Sequence, residues 1–202
     1  MGNANAFFGA NSGRSNTGGT NNSFVGVGSG INNANGFENT FVGAGAGSSN
    51  VDGARNSFFG ASAGFSSTGA INSFFGNRAG FNTSGTGNTF VGWQAGEINT
   101  TGSDNTALGN GAGSIGFANL TNATSIGANT SATQSNSVIL GSNASVGIGT
   151  TAPKAKLDVT GGNILVGSPG QGIILKSPNG ATCKLFSIDN AGAMALTAIA
   201  CP

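Results

Sequence analysis

A short apolar segment ending in glycine recurs nine times along the chain, and this repeat is what most limits how the chain can fold. The terminal glycines are 14 to 18 residues apart and lie at Gly9, Gly26, Gly43, Gly60, Gly76, Gly92, Gly109, Gly127 and Gly141. Seven units share the frame Asn-small-apolar-apolar-Gly-x-x-(Ala/Ser)-Gly, for example residues 56–64. Such a period is too short for a helical repeat or a propeller blade. It matches one coil of a β-solenoid.

Each rung is predicted to contain a strand of four or five residues, a tight turn, a second short strand and a return loop. The glycines permit positive φ or a close backbone approach where the chain turns. The Asn that begins a unit is predicted to stack on its equivalents in neighbouring rungs as an amide ladder, formed by Asn5, Asn22, Asn39, Asn56, Asn72, Asn88 and Asn105. The sequence therefore predicts an all-β fold, a parallel β-solenoid of 16–18-residue rungs over residues 1–146.

Two adjacent apolar positions in each rung indicate self-association. Successive side chains of a strand point to opposite faces, so the first position forms one column, Phe7, Phe24, Phe41, Phe58, Phe74 and Phe90. The second position forms another column on the opposite face, Phe8, Val25, Val42, Phe59, Phe75, Val91 and Leu108. A single coil has only one interior, and strands that are apolar on both faces are normally covered on both. We therefore expect other copies of the chain to cover the second column.

The motifs of several rungs resemble those of known fibre proteins. Residues 122–127 and 136–141 resemble the head repeat of trimeric autotransporter adhesins, and their 14-residue spacing also matches it. The longer rungs, such as residues 56–60, resemble repeats of bacterial and phage proteins labelled tail-fibre-like, as does the join at residues 146–159. The resemblance implies a homotrimeric, left-handed parallel β-roll used for attachment or display. It also implies a location outside the cell, on the cell surface or on a virion.

A separate unit is predicted after the repeat. Residues 147–162 are predicted to form a neck in which Pro153 ends regular pairing, and residues 163–202 a small β-meander. The expected strands and hairpin turns come from residues 164–166, 172–175, 178–180, 183–188, 189–192 and 194–199. Cys183 and Cys201 are expected to form a disulfide, within one chain or between chains. As a trimeric tip this unit would cap the roll or contact a receptor, and capping is the preferred interpretation.

Composition argues against several classes of function. Seven Lys and Arg against six Asp and Glu give a net charge of +1, so no basic patch for nucleic acid is expected. No apolar run approaches the length that crosses a bilayer, and no signal peptide is expected at the first residues. The chain has no His, and its few carboxylates are dispersed. We therefore predict no catalytic, cofactor or metal site and no enzymatic activity.

The favoured hypothesis is a non-enzymatic fibre segment whose main partner is itself. Two alternatives stay open: a self-polymerising extracellular filament subunit, and a left-handed β-helix acyltransferase, because residues 91–95 resemble one hexapeptide unit. A cell-surface receptor or glycan is a further candidate partner. Trp93, the only Trp, is expected either to pack over an adjacent rung or to stack against a sugar.

Overall fold

The computed structural model describes residues 2–168 and 171–201. The chain falls into two compact units, Met1–Ser145 and Val146–Pro202. Throughout the described residues the regular structure consists of β-strands and turns, with no helix. The predicted all-β class is therefore confirmed.

The first unit is a parallel β-solenoid, as the repeat predicts. Its nine strands form one sheet in chain order, and each strand pairs in parallel with the next. Each coil thus adds one strand, and equivalent residues of successive rungs lie side by side. The strands are β1 (Ala6–Phe8), β2 (Ser23–Val25), β3 (Thr40–Val42), β4 (Ser57–Phe59), β5 (Ser73–Phe75), β6 (Thr89–Val91), β7 (Thr106–Leu108), β8 (Ala123–Ile126) and β9 (Ser137–Leu140).

The prediction of two strands per rung was wrong. Each rung has a single strand of three residues, or four in β8 and β9, and the rest of the coil is a series of turns. The residue before the ladder Asn adopts a left-handed backbone, as at Glu38 (φ 57°) and Arg55 (φ 58°), which ends extended structure there. Backbone hydrogen bonds nevertheless continue between rungs, for example from the Ser49 N–H to the Phe65 carbonyl at 2.8 Å.

The ladder of Asn residues joins side chains to the neighbouring backbone. The Asn56 Oδ1 accepts a hydrogen bond from the Asn72 N–H at 2.9 Å, and the Asn56 Nδ2 donates to the Gly69 carbonyl at 2.9 Å. The same two contacts recur from Asn5 to Asn105, where the last pair reaches Ala123 and Leu120. Stacking of amide on amide, the expected form of the ladder, is a minor feature. The Asn side chains thus replace strand pairing at this corner.

A stack of Phe rings fills the interior beside the ladder. The five consecutive ring pairs from Phe7 to Phe90 have centroids 4.7 to 5.0 Å apart and interplanar angles of 4 to 12°. From Phe24 to Phe90 these side chains are completely buried. The spacing equals the distance between hydrogen-bonded strands, so strand pairing and ring stacking impose the same rise per coil.

Two glycines in each rung are required by this stacking. Gly26 has φ 133°, and a Cβ added there would lie 2.5 Å from the Gly43 carbonyl oxygen in the next rung. Gly30 has φ 56°, and a Cβ there would lie 2.5 Å from the Phe24 Cδ2. The first glycine of the frame therefore allows two rungs to approach closely. The second allows the backbone to pass over a Phe ring.

Phe117 extends the interior where the repeat lacks its Phe. In β7 the inward residue is Ala107, and Phe117 from the turn region of the same coil lies fully buried beside it. Its ring centroid is 6.0 Å from that of Phe90, with the rings tilted by 38°. Ala107 takes the strand position that Phe has in other rungs, and Phe117 supplies the large side chain from the turn region. The packed volume is therefore conserved.

The second unit contains two small sheets. β10 (Val146–Ile148) and β11 (Leu157–Val159) pair in parallel, so the expectation that Pro153 ends regular pairing in the neck was wrong. The second sheet is antiparallel, in the order β12 (Ile173–Lys176), β13 (Cys183–Ile188), β14 (Met194–Ile199). Three of the four expected strands of the meander are thus present. Residues 164–166 form no strand because they have no partner strand in the described part of the chain.

Replacing Asn56 with Ala should destabilise the roll. The change removes an acceptor from the Asn72 N–H and a donor to the Gly69 carbonyl, both buried, and each unsatisfied group costs about 1–3 kcal/mol. Urea denaturation followed by circular dichroism measures the loss. Asn77→Ala, at an exposed position, is the control, and equal stability of the two variants would contradict the role of the ladder.

Ala107 and Phe117 should be energetically coupled. Ala107→Phe overfills the interior and Phe117→Ala leaves a cavity, at costs of about 1–3 and 3–5 kcal/mol. The double variant restores the common rung pattern, so its loss should be smaller than the sum by about 3 kcal/mol. Denaturation of the four proteins in a double-mutant cycle measures the coupling. Additive losses would show that the two side chains do not share one space.

Candidate interaction surfaces

The outward residues of the nine strands form one apolar column. Strand pairing places Phe8, Val25, Val42, Phe59, Phe75, Val91, Leu108, Ile126 and Leu140 in adjacent positions. At about 4.8 Å per strand the column is on the order of 38 Å long. All the second-column residues named from the sequence belong to it, and Ile126 and Leu140 extend it. We call these nine residues the outer column.

The outer column is open along its length in the single chain. Phe8 is 77% exposed and Phe75 is 41% exposed, while Val42, Phe59 and Val91 are half-buried. The rings of Phe59 and Phe75 stack at 5.0 Å between centroids. In contrast, the middle residue of each strand from β2 to β7 is fully buried. The inward residues of the two edge strands are less covered: Phe7 in β1 is 38% exposed and Ile139 in β9 is 36% exposed, and each has a neighbouring rung on one side only.

A row of small hydroxyl side chains runs beside the outer column. The first residue of each strand from β2 to β7 is Ser or Thr and points to the same side as the third, namely Ser23, Thr40, Ser57, Ser73, Thr89 and Thr106. None of the nine strands contains a charged residue. The strand residues of this face are therefore uncharged, and their types repeat regularly from β2 to β7. The hydroxyl row was not predicted, because the repeat frame defines this position only as a small residue.

Trp93 lies on the surface of the roll. It is 51% exposed and follows Gly92, between the exposed residues Asn77 and Asn110 of the neighbouring rungs. The Gly111 N–H donates to the Trp93 carbonyl at 2.8 Å, and the Gln94 N–H donates to the Asn77 carbonyl at 3.0 Å. The rigid backbone thus holds an indole between two exposed amide side chains, an arrangement that can stack an apolar ring face and bond its polar edge.

Two ion pairs join neighbouring rungs at the turns of the roll. Arg55 Nε donates to Glu38 Oε2 at 2.9 Å, with both side chains exposed. Arg78 forms an ion pair with Glu97 through Nε at 2.7 Å, and its guanidinium lies 4.2 Å from the centroid of the Phe81 ring. The exposed Arg55–Glu38 pair adds little stability, whereas the Glu97 side chain of the second pair is only 16% exposed. The charges of both pairs are neutralised locally and leave the outer column uncharged.

A disulfide joins Cys183 to Cys201 within the chain, closing a loop with a sequence separation of 18. Cys183 lies in β13 and is 2% exposed, and no other buried residue is found in the described part of the second unit. The link fixes the end of the chain to the middle strand of the antiparallel sheet. Of the two pairings considered from the sequence, the structure has the one within a single chain.

A second polar row inside the roll was missed from the sequence. Asn33, Asn50, Ser67, Thr83 and Asn99 are buried at equivalent places three residues after the glycine that touches the Phe ring. The Nδ2 atoms of Asn33 and Asn99 donate to glycine carbonyls within their own rungs. The residue type varies along the row, so the repeat gave no signal for burial there.

The described residues include no helix that could span a lipid bilayer. They also contain no group of three or more His, Cys, Asp or Glu side chains placed to hold a metal ion.

No protein-family model, curated protein or solved structure matches this chain. The resemblance to tail-fibre and adhesin repeats therefore rests on the motifs of the rungs and of the join at residues 146–159.

Removing the disulfide should loosen the second unit and leave the roll unchanged. Closing a loop of this length stabilises by about 3 kcal/mol, so Cys183→Ala with Cys201→Ala should speed amide exchange in β13 and β14. Hydrogen exchange with mass spectrometry reports both units in one experiment, and roll peptides serve as the internal control. Unchanged exchange in β13 and β14 would contradict this role.

Proposed function

We propose that this chain is a structural fibre segment in which three copies lie side by side through the outer column. The fibre serves attachment or display outside the cell, on a cell surface or on a virion. The observation that carries the proposal is the continuous, uncharged outer column of the parallel sheet. Three copies and an adhesive role come from the resemblance of the rungs to adhesin and tail-fibre repeats.

The size of the outer column supports stable self-association. Covering one half-exposed large apolar side chain contributes about 1 kcal/mol. Nine such residues would contribute on the order of 9 kcal/mol per chain, before the entropic cost of association is subtracted. Columns of this length are also unfavourable in water, where large contiguous apolar patches usually mark an interface.

The chemistry of the face favours another copy of the chain over a different partner. A charged partner would find no opposite charge in the strands, which consist of apolar and hydroxyl residues. A second copy presents the same rise per coil, so apolar and hydroxyl rows can meet in register along the whole sheet. Regular self-matching of this kind is a feature of symmetric assemblies.

The interior of the roll changes between its first and last strands. β1 contributes the ring of Phe7 to the Phe stack, and Asn5 belongs to the ladder. β9 has Ile139 at the equivalent inward position, and the ladder of Asn side chains reaches Asn105 but not the later rungs. A direct contact of β9 in one copy with β1 in another would therefore place unlike interiors together. Negative-stain microscopy should show short rods; indefinite filaments would favour the filament subunit.

Trp93 is the best candidate on the roll for contact with a receptor. A sugar ring can stack on its indole while Asn77 and Asn110 bond hydroxyl groups, and all three residues are exposed on consecutive rungs. This assignment concerns the target of the fibre and is separate from its assembly.

The mass of the native protein should be that of three chains. Light scattering should give about 58 kDa for chains of 19.5 kDa each, and the species should resist detergent because the covered columns are dry. A folded protein with the mass of one chain would contradict the proposal.

A charge placed in the outer column should separate the chains. Phe59→Lys would bring like charges together at the centre of the assembly, so the mass should fall to that of one chain. Ala61→Lys, on an exposed turn of the same rung, is the matched control and should leave the mass unchanged. If Phe59→Lys kept the mass of three chains, the outer column would not be the interface.

A further inference from the structure

The antiparallel sheet of the second unit has one strongly apolar face. In its register Ile173 pairs with Phe186, Phe186 with Leu196, and Ile188 with Met194. Directly paired residues lie on the same side of a sheet, and every second residue of a strand returns to that side. One face therefore carries Ile173, Leu175, Phe186, Ile188, Met194 and Leu196. We call these six residues the apolar cap face.

All six residues of the apolar cap face are open to solvent in the single chain. Their exposed fractions run from 39% at Phe186 to 76% at Met194. The opposite face is covered better on average: Cys183 is buried and Leu185 and Ile199 are half-buried there, although Ile174 is 46% exposed. An antiparallel sheet normally buries its more apolar face and leaves the other in water. Here the arrangement is reversed, so the apolar cap face needs a partner.

The groove beside this face and the low charge of the sheet indicate what kind of surface can cover it. A groove of about 480 Å³ beside it is lined by apolar side chains that include Ile164, Val166 and Ile188. The same side of the sheet also carries Ala198 and one charged residue, Lys184, which pairs with Leu175 and Ala198. A matching surface must be apolar and nearly uncharged. The same face of another copy meets that description.

The second unit has almost no buried core of its own in its described residues. In the described part of Val146–Pro202 only Cys183 is buried, and a unit of this size without a core does not fold alone. Chains joined through their rolls hold their second units at high effective concentration through the connection at residue 146. Other copies of the chain are therefore always available, at fixed stoichiometry.

We infer that the apolar cap faces of associated copies pack on one another and form a shared core. This inference rests on the proposed self-association of the chain and gives the second unit its own role in it. The antiparallel sheet becomes ordered only in the assembly. Within each copy, the disulfide holds β13 close to the residues that follow β14. Both outer strands, β12 and β14, have one unpaired edge within the described residues, and these edges are free to lie beside neighbouring copies.

Photo-crosslinking in the full-length protein tests this contact directly. Benzoylphenylalanine replaces Met194 on the apolar cap face or Thr197 on the opposite face, both exposed. Chains labelled with ¹⁴N and ¹⁵N are mixed during refolding, so that crosslinks between chains are recognised by mass. The probe at position 194 should link to β12–β14 of another chain, and the probe at position 197 should not. Links confined within one chain would overturn the inference.

A substitution pair gives a second, independent readout. Leu196→Gln places an amide on the apolar cap face, whereas Thr197→Gln changes the adjacent, exposed residue on the other face. Exchange of amides in β12–β14 should accelerate on the order of 30-fold in Leu196→Gln, the effect of one large side chain that loses its cover. Thr197→Gln should keep the parental rates.

The same experiment separates this inference from the proposed function. If the protein has the mass of three chains but Leu196→Gln exchanges like Thr197→Gln, the shared core is wrong and the fibre proposal stands. If the parental protein has the mass of one chain and its β12–β14 amides are protected, both are wrong.

Discussion

The structure depends on a strand of three residues that divides its side chains between two faces. The middle residue enters the coil, and the first and third residues face outward. Because each rung repeats this strand in parallel register, equivalent residues of successive rungs form a column. Neighbouring residues of a column are about 4.8 Å apart. The inner column is the Phe stack, which fixes the rise. The outer column follows from the same alternation of side chains, because its residues point away from the coil. The alternation therefore produces both the buried core of one chain and the apolar surface on its outside.

The columns also explain how a chain with so few charges forms an ordered roll. Many backbone N–H groups at the corners are bonded by side chains of the adjacent rung, as when Asn39 Oδ1 accepts from the Asn56 N–H. Extended structure is then needed for only three residues per coil. Corners adopt the left-handed backbone even at Ile71 (φ 60°), where a β-branched residue is strained. The stack of rungs above and below fixes that conformation.

The period of the repeat was sufficient to predict the solenoid, the buried Phe24 and the outward Val25, because alternation in a strand depends only on sequence position. Prediction from the period failed where the structure depends on a packing partner or on a backbone dihedral angle. Nothing in Glu38 or Arg55 indicates a positive φ, so the single strand per rung was missed. Phe117 lies outside the repeated frame, and its burial follows from the small size of Ala107. The apolar cap face required the register between Phe186 and Leu196, which the hairpin turn sets and the apolar pattern does not.

The central claim is that the outer column is covered in the native protein although a single chain leaves it open. Hydroxyl-radical footprinting with residue-level mass spectrometry tests this claim at Phe74 and Phe75, which are neighbours in β5 on opposite faces. In one chain Phe74 is fully buried and Phe75 is 41% exposed. If other copies cover the outer column, both rings should react equally slowly in the native protein. Only Phe75 should gain reactivity when the chains are separated. Rapid oxidation of Phe75 in the native protein would contradict this claim.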